Sequence, residues 1–127
     1  MSIIFEHVPF YRRIFLLPGF WKDPFLMIGL PYIEGDFLPP DFRFPDLKQL
    51  ACNRGLRHVR SVDLFDPQAD FKWDLNSPVP PRYHHAFSTV IDIGTLEHIF
   101  DTRTCLENYL RLVKTGGLFV LVTPING

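Results

Sequence analysis

The chemistry this sequence offers is concentrated in eight side chains. Five of them, Asp92, Thr95, Glu97, His98 and Asp101, crowd into the run Val90-Ile91-Asp92-Ile93-Gly94-Thr95-Leu96-Glu97-His98-Ile99-Phe100-Asp101. Three further carboxylates, Asp63, Asp66 and Asp74, follow shorter apolar stretches upstream. A carboxylate at the end of a second strand accepts hydrogen bonds from a ribose diol in dinucleotide folds. That role falls to Asp63, with Asp66 as its rival, and Asp74 is placed to accept from an exocyclic amine. His98 or Glu97 can take a proton from a reacting group. Each has a purely structural counterpart. Asp63 also reads as a strand-end or capping carboxylate. Asp74, followed by Asn76-Ser77-Pro78, reads as a turn residue, and His98 as a helix-start residue packed against a sheet.

Other nucleotide and hydrolase chemistries lack their residues. After the first apolar run the chain continues Gly29-Leu30-Pro31-Tyr32-Ile33-Glu34-Gly35, which is not a GxGxxG fingerprint. No GxxxxGK[ST] loop supports a triphosphate, and no GxSxG elbow presents a nucleophilic serine. His84 and His85 are adjacent and point to opposite sides of an extended segment, and no metal-ligand spacing is present. The ligand class left is one with a ribose and a base but few phosphates.

The elements that must hold these residues follow from hydrophobic pattern. Phe25–Gly29 and Phe87–Gly94 are near-continuous apolar runs, the mark of strands buried on both faces. Val59–Phe65 predicts a second strand and Phe71–Leu75 a short third. Leu118–Val122 is the last. A helix is expected over 46–53, stopped by Gly55. A second, capped by Asp101 or Thr102, would show Leu106, Tyr109/Leu110 and Val113 to the core and end at Gly116-Gly117. Leu30–Pro45 holds four prolines and cannot be regular throughout. Strands alternating with helices imply parallel pairing. The expected fold is therefore α/β: a Rossmann-like, doubly wound, mostly parallel open sheet. Two regions are expected, an aromatic N-terminal segment over 1–24 and an α/β domain over 25–127.

Composition agrees with a core-forming chain. Of the 127 residues 46% are hydrophobic, and the formal net charge is −1. No basic patch suggests a nucleic-acid partner, and Arg57-His58-Val59-Arg60 reads as a solvated turn. Cys52 and Cys105 form no disulfide framework and fit a reducing, cytoplasmic setting, with Cys105 a small core residue. No apolar run reaches the length of a membrane span. The stretch 14–21 is apolar but broken by Pro18-Gly19. It reads as packed on its own domain or on a protein partner, in preference to a membrane surface.

The span 71–126 resembles class I S-adenosylmethionine-dependent methyltransferases. The residues that carry the likeness are Asp74-Leu75-Asn76-Ser77-Pro78, Ile91 to Asp101, Leu110-Arg111-Leu112-Val113-Lys114-Thr115-Gly116-Gly117 and Thr123-Pro124-Ile125-Asn126. The resemblance implies S-adenosylmethionine as cofactor and methyl transfer to an unidentified acceptor. It puts Gly29 in the cofactor loop, Asp63 on the ribose, Asp74 on the adenine amine and Gly94 on the methionine side. The sequence departs from the family pattern in the first loop. Met27 stands where an acid is usual, and Pro31 and Tyr32 are expected to crowd the cofactor. The family fold continues with a helix and two strands beyond the last strand read here, so a sheet incomplete on the C-terminal side, with an edge open to a partner, is expected. The alternative reading is a catalytically inactive relative serving as an interaction or regulatory module, its aromatic N-terminus a partner surface. A weaker third is another nucleotide- or flavin-binding domain.

Overall fold

The computed structural model describes residues 2–124. Four strands form its main sheet: β2 (Phe25–Ile28), β4 (Val59–Val62), β5 (Phe87–Ile93) and β6 (Val113–Val122). Their spatial order is β4-β2-β5-β6, and every pair is parallel. A second, two-stranded sheet joins β1 (Ser2–Ile3) to β3 (Tyr32–Ile33). The helices are α1 (Val8–Phe15), α2 (Leu47–Asn53) and α3 (Thr102–Leu112). The α/β class and parallel sheet expected from the sequence are observed.

The strands are buried on both faces because their side chains alternate between two cores. Phe25 and Met27 of β2 join Ile91 and Ile93 of β5 in the core under α1 and α2. Leu26 and Ile28 join Val90, Cys105, Tyr109 and Leu112 in the core under α3. Period-two alternation in an all-apolar run is what a sheet covered on both sides requires. The aromatic segment enters the first core through Val8, Tyr11, Ile14, Phe15 and Phe20. Leu16 and Leu17 of the same segment stay exposed.

Local signals explain the ends of α2. Asp46 caps it, its carboxylate accepting from the Gln49 amide at 2.8 Å, and Gly55 turns the chain away at φ +90°. Other expectations are corrected. The strand predicted over 59–65 ends at Val62, because Asp63 folds the next residues into a turn. The third strand shrinks to one parallel bridge, Val62 to Phe71, on the outer side of β4. The helix α3 ends at Leu112, not at the glycine pair, since Val113 is already extended. Gly116 and Gly117 instead lie within β6, in an excursion of 114–117 between the pairs Phe87–Val113 and Thr89–Leu118. The buried face of α3 is Cys105, Asn108, Tyr109 and Leu112, while Leu106 and Leu110 are exposed. Cys105 is a core residue as expected, and burial pushes its thiol up to about 11.

Candidate functional site

The strand order reverses direction of growth between β2 and β5, and ligands of open α/β sheets bind outside the carboxyl ends of the strands at that switch. A cavity of ≈ 450 Å³ opens there, within the range of small-molecule sites, roughly 300–1,000 Å³. Three strand ends and the segment after the Phe71 bridge supply its walls: Gly29 after β2, Asp63 after β4, Asp74 after the bridge and Gly94 after β5. The structure thus brings into one cavity wall all four residues that the family resemblance puts beside a cofactor.

Gly29 occupies a position that demands glycine. Its φ is +75°, and a Cβ there would lie 2.9 Å from the Thr95 hydroxyl oxygen. Its amide donates to the Val62 carbonyl, tying the ends of β2 and β4 together. Gly94 is also left-handed, at φ +83°, and donates to the Val122 carbonyl.

The carboxylates differ in how far they are committed. Asp63 accepts the Phe65 and Asp66 amides at 2.8 and 3.0 Å, both on Oδ1. Its Oδ2 has no hydrogen bond among the described residues. Asp66, the rival, accepts from the Gln68 amide and from the Tyr32 hydroxyl at 3.3 Å. The charge of Asp66 pushes the Tyr32 phenol up. Asp74 takes the turn geometry of its structural reading, with Oδ1 receiving the Asn76 amide and side-chain nitrogen, each at 3.0 Å. Those bonds hold its carboxyl below the usual range. Its Oδ2 is uncommitted among the described residues.

The elbow itself splits into structural and surface parts. Asp92 is fully buried. It accepts the Thr95 amide at 2.8 Å, the Leu96 amide at 3.0 Å and the Tyr109 hydroxyl at 2.7 Å. Burial raises its carboxyl nonetheless. Asp92 is thus the anchor of the Leu96–His98 turn, not a group that meets a ligand. Asp101 caps α3 through the Thr104 amide. His98 lines the cavity at an exposed position. Glu97 points elsewhere: it is exposed, outside the cavity wall, and accepts from the Thr123 hydroxyl at 3.4 Å.

Several lining residues carried no sequence signal of their own. Leu64, Phe65, Trp73 and Ile99 are apolar members of the wall. Their adjacency to Asp63, Asp74 and His98 was the available clue. Pro31 and Tyr32, expected to crowd the site, form one wall, and the cavity volume is what they leave. Ile125 and Asn126, part of the last quoted motif, lie outside the described residues.

Electrostatics narrow what the cavity accepts. Three carboxylates and no lysine or arginine line it. The ammonium of Lys72, next to Trp73, is tied to the Asp66 carbonyl. The N-terminus of α2, beside Pro31 and Tyr32, is already occupied by the Asp46 carboxylate. A phosphate finds neither a cation nor an open helix terminus there. Among the described residues no group of three or more His, Cys, Asp or Glu side chains is placed to hold a metal ion. The stretch 57–60, read from the sequence as a solvated turn, is one only in part: Val59 and Arg60 already belong to β4, and the Arg60 guanidinium lies 3.6 Å from Asp70. Among the described residues no helix is long and apolar enough to cross a membrane. No family model, curated protein or solved structure matches the chain.

Proposed function

We propose that this domain binds S-adenosylmethionine in the cavity at the β2–β5 switch and transfers its methyl group to an acceptor. The observation that carries the reading is a wall with the uncommitted oxygens of Asp63 and Asp74, two left-handed glycines and no cation. A ligand with a ribose, a base and net positive charge suits that wall, whereas a dinucleotide or flavin nucleotide brings phosphates with nothing to meet them.

Asp63 would hold the ribose diol through Oδ2 while Oδ1 keeps the turn closed. Asp74 would hold the exocyclic amine of the base. Gly29 and Gly94 make the left-handed turns at the two strand ends that border the site, and a Cβ at Gly29 would press on the Thr95 hydroxyl beside it. When bound, the cofactor supplies an electrophilic methyl group on a sulfonium. The protein's own part is alignment, which can furnish most of the rate. His98, at the rim, is the residue placed to take a proton from an acceptor that must lose one.

The comparison of two ligands tests this. S-adenosylhomocysteine should raise the thermal unfolding midpoint of the chain and adenosine diphosphate should not. The reverse order would contradict the reading. The second reading, a partner-binding module without catalysis, draws on Phe65 and Phe100, 88% and 98% exposed. Phe65 is in the cavity wall, and Phe100 follows the wall residues His98 and Ile99. It predicts no shift with either ligand.

A further inference from the structure

The acids gather at the carboxyl ends of the strands, and a different chemistry gathers at the opposite rim. There Pro18, Gly19 and Lys22 face Lys114, Thr115 and the Gly116-Gly117 excursion across a cleft of ≈ 170 Å³. Two lysines line it and no acid does. Among the described residues neither lysine has an ion-pair partner. Asp23, the acid next to Lys22 in sequence, turns its carboxylate to the Arg57 and His58 amides. The excursion is closely held: a Cβ on Gly117 would meet the Ser88 carbonyl at 2.8 Å. A compact basic cleft of this kind fits an anionic group.

Apolar surface stands immediately beside it. The inner face of α1 is spent on the core, but Leu16 is 80% exposed and Leu17 and Phe10 are exposed as well. Arg13, three residues after Phe10, is exposed on the same side of the helix. Leu16 and Leu17 lead directly into Pro18 at the cleft wall. The stretch 14–21, expected from the sequence to pack on its own domain or on a protein partner, divides. Ile14, Phe15 and Phe20 are in the core, and the exposed Leu16 and Leu17 next to lysines without counter-charge match a lipid surface instead, whose acyl boundary takes the leucines and whose phosphates take the lysines. An apolar protein groove would cover the leucines and leave the lysines uncompensated.

We propose that this rim docks on an anionic phospholipid surface, with a lipid phosphate in the Lys22–Lys114 cleft and Leu16 and Leu17 entering the acyl boundary. The cavity, at the far ends of the strands, then faces away from the bilayer.

Flotation of the full chain with vesicles tests this. Vesicles of equal parts phosphatidylcholine and phosphatidylserine should carry at least about tenfold more protein than phosphatidylcholine alone, and high salt should release it. Leu16→Ser with Leu17→Ser, and separately Lys22→Gln with Lys114→Gln, should each lower the bound fraction about tenfold. All four side chains are on the surface, so the thermal midpoint should hold in both variants. Equal binding to the two vesicle types, binding to neither, or retention by both variants would overturn the proposal. So would a midpoint raised by inorganic phosphate, equally in the wild type and the leucine variant, without flotation: the cleft would then be a site for free phosphate.

Discussion

The position Gly29 would give its Cβ lies 2.9 Å from the Thr95 hydroxyl oxygen. That hydroxyl donates to the Ile28 carbonyl at 3.3 Å. The carboxyl ends of β2 and β5 are therefore locked side by side at the floor of the cavity, with no room for a side chain between them. A residue other than glycine would meet both a positive φ and this contact.

Gly29→Ala is expected to lose about 1–3 kcal/mol of stability, read from urea midpoints. Adding Thr95→Ala should recover the part due to the contact and leave the part due to φ. The double variant should then be more stable than the sum of the singles predicts.

The bond between Tyr109 and Asp92 makes a second test. Asp92 serves three donors from two segments, so losing the phenol in Tyr109→Phe should cost about 1–3 kcal/mol. Asp92→Asn should cost more. Its amide nitrogen must replace either the oxygen that accepts from the Thr95 amide or the one that accepts from the Leu96 amide and the Tyr109 hydroxyl, so a backbone donor faces a donor in both orientations. Chemical denaturation of the two variants gives the comparison.

The same carboxyl gives a pH signature. Burial raises Asp92 in the folded chain, so its contribution is greatest below the ordinary carboxylate range and is lost as pH rises through the folded value. Asp41, held down by the Arg12 hydrogen bond, and Asp74 and Asp101, held down by the Asn76 and Thr104 amides, act oppositely. Their contribution is present above the ordinary range and lost on acidification. Acid should destabilise the chain, with Asp92 partly offsetting the loss. The stability gap between wild type and Asp92→Asn should therefore widen from neutral pH toward about pH 4. Midpoints measured across that range check it, and a constant gap would contradict the assignment.

The central strands were readable from the sequence because burial on both faces leaves an unbroken apolar run, as in Phe25–Ile28 and Phe87–Ile93. The helix expected over 46–53 is α2, Leu47–Asn53, readable because its apolar spacing and Gly55 act locally, with Asp46 standing outside it as the cap. The face of α3 was not readable. Asn108 is fully buried, accepting from the Val79 amide and donating to the Leu75 and Ser77 carbonyls. A polar residue satisfied by a distant loop looks like a surface position in any periodicity count, so the expected stripe of Leu106, Tyr109/Leu110 and Val113 includes the buried Tyr109 but also the exposed Leu106 and Leu110. The third strand failed for a similar reason. Trp73 stacks on Phe71 at 4.3 Å and Asp74 closes its own turn, so the pairing stops after one bridge. Gly29, Asp63 and Gly94 share one wall because each follows a strand of the sheet, and Asp74 joins them because it follows the Phe71 bridge. Glu97 sits one residue from His98 yet outside the wall, since neighbouring positions of a tight turn diverge.

The most direct test of the cofactor assignment is calorimetric titration of the chain with S-adenosylhomocysteine, for the wild type and for Asp63→Asn. The asparagine keeps an oxygen for the Phe65 and Asp66 amides, so the turn survives and only the ligand-facing charge is lost. Submillimolar binding by the wild type, weakened at least about tenfold by the substitution, is the predicted result. No heat at millimolar ligand in a folded protein, or equal binding by the two chains, would contradict it.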